Sequence, residues 1–203
     1  MTQPKALPKT IRQLAGIAPT VPALAQSVLI MIDQQNEYID GPLQLAGIDA
    51  AMVVNARLLA AARAAGTSIV HIAQLGAAGG MFDRAAHRGA FIDAVRPIDG
   101  EPVVEKRFAS AFVGTGLDAI LAALPSKSLI IAGYMTHNCV TGTTFDGLAR
   151  GFQIAIVADA TATRDLPDGQ GGVVAAADLQ RAQLTGLSDR QALIVSLEQL
   201  LAA

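Results

Sequence analysis

The chain alternates short, wholly apolar runs with longer segments rich in Ala and Leu. Residues 28–32 are apolar at every position, which predicts a strand buried on both faces. Residues 49–65 have the composition of a helix, with Asp49 placed to cap its start and Gly66 to end it. The same alternation predicts further strands at residues 68–73, 102–105, 129–132, 153–158 and 192–195, and helices at 117–124, 138–150 and 172–184. Buried strands separated by helices are typical of a three-layer α/β/α fold, here Rossmann-like with a mostly parallel sheet of about six strands.

The chain divides into an N-terminal arm and one domain. Residues 1–26 carry four prolines, Pro4, Pro8, Pro19 and Pro22, which predict an irregular arm suited to packing on a partner subunit. Residues 27–203 contain no internal repeat and no low-complexity linker, so we expect a single domain there. The arm lacks a continuous apolar core of the kind found in signal peptides, and a cytoplasmic location is therefore the expectation.

Composition narrows the class of partner. Hydrophobic residues make up 52% of the chain and mean hydropathy is +0.42. No run approaches the roughly 18 apolar residues that a membrane span needs, so we expect a large core and an apolar homo-oligomer interface rather than membrane insertion. A net charge of −2 without a basic stripe argues against nucleic acid as a partner. The single Cys excludes an intrachain disulfide and a Cys-rich zinc site.

Three side chains with catalytic chemistry fall just after predicted strands. Asp33 ends strand one, Lys106 follows strand three, and Cys139 lies between strand four and the next helix. Taken singly, each has a structural explanation: Asp33 as a cap of a turn, Lys106 as a surface charge and Cys139 as a small buried apolar residue. Taken together they fit nucleophilic catalysis, because the carboxyl ends of parallel strands meet at one edge of the sheet. An ammonium and a helix N-terminus would favour the thiolate, and a carboxylate can accept and return its proton.

Three sequence blocks carry a resemblance to a known family. The segments LIMIDQQNEY, VVEKRFASAFVGTGL and IAGYMTHNCVTGTTFDGLARGF resemble, in order, the signature blocks of the isochorismatase-like cysteine hydrolases, over residues 26–165. The resemblance implies a catalytic triad of Asp33, Lys106 and Cys139. It also implies a cis Tyr134–Met135 peptide bond, with the backbone N–H groups of Met135 and Cys139 forming an oxyanion hole. Oligomers are common in the family, which implies a homodimer or homotetramer.

The resemblance and the retained Cys139 together predict an enzyme. The expected activity is cofactor-independent hydrolysis of a C–N bond in a small amide, ureido or carbamoyl compound through an acyl-cysteine intermediate. Vinyl-ether hydrolysis of an isochorismate-like compound and a non-catalytic binding role remain as alternatives. Residues expected to line the substrate pocket are Gln35, Tyr38, Phe82, Phe108, Phe112, Thr136 and His137.

No catalytic metal is expected. Metal-binding members of the family use an Asp-x-His element and a second His in the loop after strand two, and this chain has no Asp-x-His. Of its three histidines, His71 falls inside strand two and His87 stands alone in a glycine-rich loop.

Overall fold

A computed structural model describes residues 7–203 of the chain. The strands are β1 (Val28–Ile32), β2 (Ser68–Gln74), β3 (Val103–Lys106), β4 (Ser128–Tyr134), β5 (Gln153–Ala162), β6 (Leu166–Pro167), β7 (Val173–Val174) and β8 (Leu193–Val195). The helices are α1 (Ile11–Leu14), α2 (Glu37–Asp40), α3 (Ile48–Ala64), α4 (Leu117–Ala122), α5 (Thr141–Ala149), α6 (Ala176–Arg190) and α7 (Leu197–Leu201). Shorter turns are the 3-10 helices Leu24–Gln26, His87–Gly89 and Asp93–Val95 and the π-helical turn Thr136–Val140.

Six strands form one parallel sheet in the order β3-β2-β1-β4-β5-β8. Alternate residues of the central strand β1 enter two separate cores. Leu29 and Met31 pack with residues of α3 and α7, whereas Ile30 and Ile32 pack with residues of α4 and α6. The apolar run predicted at residues 28–32 is therefore explained by helices on both faces, and the predicted three-layer α/β/α fold is confirmed.

Several predicted boundaries were wrong in instructive ways. Lys106 is the last residue of β3 instead of following it. Asp49 does not cap α3. The N-cap position is occupied by Gly47 in a left-handed conformation (φ 70°), and Asp49 lies in the first turn of the helix. The helix expected from residue 138 begins as the π-helical turn Thr136–Val140 and becomes regular only at Thr141.

The C-terminal third also differs from its prediction. Strand five, predicted to end at residue 158, extends to Ala162, and between it and the next helix lies a two-stranded antiparallel ribbon of β6 and β7. This ribbon delays the start of α6 to Ala176, and a final helix, α7, was not predicted. Ser196 caps α7 through its hydroxyl, which accepts the N–H of Gln199 at 3.2 Å.

The described part of the arm, residues 7–26, contains the single helical turn α1 and one 3-10 turn. It is tied to the domain because the Ile11 N–H donates to Asp189 Oδ1 of α6 at 2.7 Å. Across residues 7–203, no helix is both long enough and apolar enough to cross a membrane.

Gly133 marks a close approach between β4 and β1. It is paired in register with Ile32 and has φ +120°, and a Cβ at this position would lie 2.0 Å from the Ile32 carbonyl oxygen. We expect Gly133→Ala to lower the free energy of unfolding by about 3 kcal/mol, because both the clash and the backbone conformation disfavour a side chain. Urea denaturation followed by circular dichroism measures this.

Gly186→Ala is the matched control for that substitution. Gly186 lies inside α6 with nothing within 4 Å of an added Cβ. Alanine there should stabilise the protein by about 0.5–1 kcal/mol through helix propensity. Similar stabilities for the two variants would contradict the close approach at Gly133.

Candidate active site

Three polar side chains meet at the carboxyl edge of the sheet. Asp33 follows β1, Lys106 ends β3, and Cys139 lies in the π-helical turn after β4. The Lys106 Nζ atom lies 2.8 Å from Asp33 Oδ2 and 3.2 Å from Cys139 Sγ. The exposed fractions of Asp33, Lys106 and Cys139 are 0%, 1% and 4%. The structure therefore brings the three residues singled out in the sequence into one buried cluster.

The length of the Lys106 side chain makes this cluster possible. Asp33 and Cys139 come from the neighbouring strands β1 and β4, but β3 is separated from β1 by β2. Two strand spacings amount to about 9.5 Å, a distance that a short side chain cannot cover. The extended lysine chain spans β2 and delivers its ammonium to the carboxylate and the thiol.

A fourth residue, Gln74, completes the ammonium's surroundings. Gln74 is the last residue of β2 and is paired in register with Lys106. Lys106 Nζ donates to Gln74 Oε1 at 2.6 Å and to Cys139 Sγ at 3.2 Å, and it forms an ion pair with Asp33, so the ammonium has three polar neighbours. Sequence reasoning missed Gln74 because it ended strand two at residue 73.

Burial and charge set the protonation of the cluster. Burial raises the pKa of Asp33 above its ordinary value, although the Lys106 charge opposes this. Burial alone would lower the pKa of Lys106, but the charges of Asp33 and Cys139 outweigh it and raise that pKa. Burial, and then the charge of Asp33, raise the pKa of the Cys139 thiol against the influence of Lys106. Burial and the Asp33 charge thus oppose the thiolate that Lys106 favours, and activation of Cys139 by Lys106 and a helix N-terminus stays a prediction.

The turn that carries Cys139 is anchored on both sides. The Tyr134–Met135 peptide bond that precedes it is cis, as the family resemblance implied. Thr136 is fully buried and its hydroxyl donates to the Ala162 carbonyl of β5 at 3.1 Å. The Thr141 hydroxyl donates to the Thr136 carbonyl at 2.7 Å. Thr136 therefore holds the turn in place, whereas its neighbour His137 is partly exposed beside Cys139 and its Nδ1 atom is paired with the Thr163 hydroxyl.

Two of the three amides that follow Asp33, Gln35 and Asn36, fasten the glycine-rich loop to the site. Gln35 is fully buried; its Oε1 accepts the Gln74 N–H at 2.8 Å, and its Nε2 donates to the carbonyls of Gln74 and Gly89 at 3.0 and 2.9 Å. Asn36 Nδ2 donates to the His87 carbonyl at 3.0 Å. Every polar atom of the Gln35 side chain is thus used within the protein, so the structure assigns it to holding the loop instead of lining a pocket.

Comparison with known proteins identifies the family. The isochorismatase domain matches residues 27–199. An isochorismatase of known crystal structure from Pseudomonas putida KT2440 superposes with a TM-score of 0.92 at 38% identity, covering 96% of this chain and all (100%) of the other. The chain belongs to the isochorismatase family.

Two curated relatives extend this result. The secreted isochorismatase effector Isc1 of Verticillium dahliae is 33% identical over 92% of this chain and 96% of its own length. The maleamate amidohydrolase of Pseudomonas putida is 33% identical over 67% of this chain and 72% of its own length. As a member of the isochorismatase family, the chain is a hydrolase.

The aromatic residues expected to line the pocket are placed differently from one another. Tyr38 and Phe82 are buried and pack edge to face, with ring centroids 5.3 Å apart, and Tyr38 also packs against Tyr134. Phe112 is 3% exposed and stacks on Phe152 in the core, so its assignment to the pocket is corrected. Phe108, two residues after Lys106, is 61% exposed. The aromatics of this isochorismatase-family chain thus serve mainly the core under the site.

Two of the three histidines, His71 and His87, pair with carboxylates. His71 Nε2 lies 2.8 Å from Glu101, which Arg63 contacts through two nitrogens at 2.8 Å each. Burial lowers the pKa of His71, and the bonds from Arg63 lower the pKa of Glu101 to about 2. His87 Nε2 lies 2.9 Å from Asp40. Within residues 7–203 no group of three or more His, Cys, Asp or Glu side chains is placed to hold a metal ion, and the absence of a catalytic metal stays a prediction.

Two sizeable surface cavities lie at the opposite edge of the sheet. One, of about 310 Å³, lies between the arm and the starts of β4, β5 and β8, and the other, of about 510 Å³, lies beside the starts of β2 and β3. Neither includes Asp33, Lys106 or Cys139. In open α/β sheets ligands bind at the carboxyl ends of the strands, so the chemistry of the cluster marks the active site better than cavity size.

The electrostatics predict an unusual response of the thiol to Asp33→Asn. Because the negative charge of Asp33 raises the pKa of Cys139, its removal should lower that pKa by about one unit or more. The midpoint of the pH dependence of iodoacetamide alkylation should therefore move to lower pH. Intact mass spectrometry measures it cleanly, since Cys139 is the sole cysteine.

Lys106→Met provides the opposite case. It removes the charge that favours the thiolate, so its alkylation midpoint should not fall below that of the wild type. A midpoint in Asp33→Asn that is unchanged or moves to higher pH would contradict the charge balance described for this cluster.

Proposed function

We propose that this chain hydrolyses a C–N bond of a small amide, ureido or carbamoyl compound, with Cys139 as nucleophile, Asp33 as general base and acid, and Lys106 as the cation that stabilises the thiolate. The observation that carries the proposal is the contact of one buried ammonium with both the carboxylate and the thiol, at 2.8 and 3.2 Å. Carboxylate, ammonium and thiol are the groups that acyl transfer to sulfur requires. The similarity to a maleamate amidohydrolase supports C–N cleavage.

Acylation starts from the neutral thiol. Asp33 takes the thiol proton as Sγ bonds to the substrate carbonyl carbon, and Lys106 stabilises the sulfur charge that develops. The carbonyl electron pair moves onto oxygen, where the backbone N–H groups of Met135 and Cys139 are the proposed donors. When this intermediate collapses, the C–N bond breaks and Asp33 gives its proton to the leaving nitrogen. The products are a free amine or ammonia and a thioester on Cys139.

Deacylation uses one water molecule. Asp33, again a carboxylate, takes a proton from the water as the water oxygen bonds to the thioester carbon. The C–S bond then breaks, and the proton returns from Asp33 to Cys139 Sγ. The cycle consumes one amide and one water and restores the resting site with side chains and water alone, so the proposal includes no cofactor.

The roles of Asp33 and Cys139 predict loss of turnover in either single variant. We expect Cys139→Ala and Asp33→Asn each to lower kcat by about a thousandfold or more. The first removes the nucleophile, and the second removes the base that takes the proton of the nucleophile. Ammonia release from a panel of monoamides of dicarboxylic acids and of ureido acids measures the effect. Circular dichroism and thermal unfolding check that both variants fold.

The two variants also separate the competing mechanisms. Full turnover in Cys139→Ala would contradict the cysteine mechanism. If that activity failed in Asp33→Asn, protonation by Asp33 without a nucleophile would explain it, as in vinyl-ether hydrolysis. Phe145→Ala is a suitable control, since this side chain on α5 is 50% exposed and has no proposed role.

A nearby arginine supports a substrate that carries a negative charge. Arg164 Nε is buried without a hydrogen-bond acceptor, and no carboxylate among residues 7–203 forms an ion pair with this side chain. Burial and the positive charge of Arg164 both lower the pKa of His137, which lies two residues from Cys139. A substrate carboxylate would supply the missing partner for this guanidinium.

Arg164→Gln should therefore act selectively on charged substrates. We expect KM for a carboxylate-bearing amide to rise about tenfold or more, with little change for a neutral amide. Arg88→Gln, in an exposed part of the glycine-rich loop, is the matched control and should leave both KM values unchanged. Equal effects of Arg164→Gln on charged and neutral amides would count against a carboxylate partner.

A further inference from the structure

We propose that Gln74 is a specificity-determining residue whose side-chain N–H groups bind an oxygen of the substrate other than the oxygen of the scissile carbonyl. This inference rests on the proposed function, because it concerns the same site and names the group that the site recognises. It follows from the placement of Gln74, from the orientation that Lys106 imposes on its amide, and from the free donors that remain.

Gln74 lies at the centre of the catalytic edge. As the last residue of β2, it stands between β1, which supplies Asp33, and β3, which supplies Lys106. Its side chain is partly exposed, whereas Asp33 and Lys106 are 0% and 1% exposed. Gln74 therefore links the buried ammonium to the accessible side of the site.

Lys106 fixes which end of the amide faces outward. A lysine ammonium has only donors, so the atom 2.6 Å from its Nζ must be the amide oxygen. A flipped amide would place its NH₂ group against the ammonium and lose a charge-assisted hydrogen bond. The two N–H groups of Gln74 Nε2 are consequently directed away from Lys106, and they have no hydrogen-bond acceptor among residues 7–203.

The backbone of Gln74 is held as firmly as its side chain. The buried Gln35 side chain accepts the Gln74 N–H at 2.8 Å and donates to the Gln74 carbonyl at 3.0 Å. With the backbone clamped by Gln35 and the amide oxygen bound to Lys106, the free N–H groups occupy a nearly fixed position. Donors ordered before binding give specificity at a small entropic cost.

The chemistry of these donors defines the group that they bind. The N–H groups at this position require a carbonyl, carboxylate or ureido oxygen. In the proposed mechanism the scissile carbonyl oxygen is held by the backbone of Met135 and Cys139, so Gln74 is left for a second oxygen. The substrate class is thus an amide or ureido compound with a further oxygen acceptor close to the scissile bond.

The test compares Gln74→Met and Gln74→Glu with Gln153→Met, a control on an exposed residue at the opposite end of the sheet. Two substrates are used. One is the compound of the amide and ureido panel that the wild type turns over fastest, and the other is its analogue in which a methyl group replaces the group that carries the second oxygen. For the parent compound we expect KM to rise about tenfold in Gln74→Met, which removes the N–H donors. KM should rise further in Gln74→Glu, because a carboxylate oxygen would then face the substrate oxygen. For the analogue, KM should be the same in the wild type and in Gln74→Met.

A second readout separates substrate binding from the positioning of Lys106. The rate of Cys139 modification by methyl methanethiosulfonate reports the thiol without any amide in the reagent. This rate should fall less in Gln74→Met than in Lys106→Met, because Asp33 still holds Lys106 in the former variant. An unchanged KM, or a loss confined to kcat and thiol reactivity, would overturn the inference. Turnover in Cys139→Ala would instead contradict the proposed mechanism, whatever the result for Gln74.

Discussion

The site depends on one buried ion pair, between Lys106 and Asp33, at the carboxyl edge of the sheet. Removing an ammonium and a carboxylate from water is costly, and the cost is offset only when the charges contact each other and their remaining hydrogen-bonding groups are satisfied. Here the Nζ–Oδ2 distance is 2.8 Å and the ammonium also donates to Gln74 and Cys139, whereas Asp33 Oδ1 has no hydrogen-bond partner among residues 7–203. The pair bridges from β3 across β2 to the residue after β1, so it also fixes the mutual position of three strand ends.

The same pair governs the reactivity of the thiol. The charges of Asp33 and Lys106 act on Cys139 in opposite directions, and burial, the largest influence, raises the pKa of the thiol. In the proposed mechanism this nucleophile becomes reactive once a substrate carbonyl is in place and Asp33 takes the thiol proton. Beside this cluster, Gln35 and Asn36 tie the loop after β2 to the site, and at the opposite edge of the sheet the His71–Glu101–Arg63 network holds the far end of the same loop.

The sheet and the three catalytic candidates could be predicted because their signals are local. Apolar runs such as residues 28–32 leave no alternative to a strand buried on both faces, and the sequence blocks around Asp33, Lys106 and Cys139 are distinctive. Gln74 could not be recognised, because a glutamine at the end of a strand is unremarkable until the register with Lys106 is known. Phe112 was assigned to the pocket because the sequence does not distinguish an aromatic residue that lines a cavity from one that fills the core. The ribbon of β6 and β7 could not be predicted because its strands have two residues each and neither lies in a long apolar run. The homo-oligomer and the cytoplasmic location stay predictions.

The most direct test of the cysteine mechanism is the partitioning of products in hydroxylamine. An acyl-cysteine intermediate can be captured by hydroxylamine as well as by water, whether or not it accumulates. For a turned-over amide, the account predicts that the hydroxamate forms at the expense of the free acid as the hydroxylamine concentration rises, and that Cys139→Ala forms neither product. Free acid as the sole product at every hydroxylamine concentration would contradict an acyl-enzyme, and with it the role assigned to Cys139.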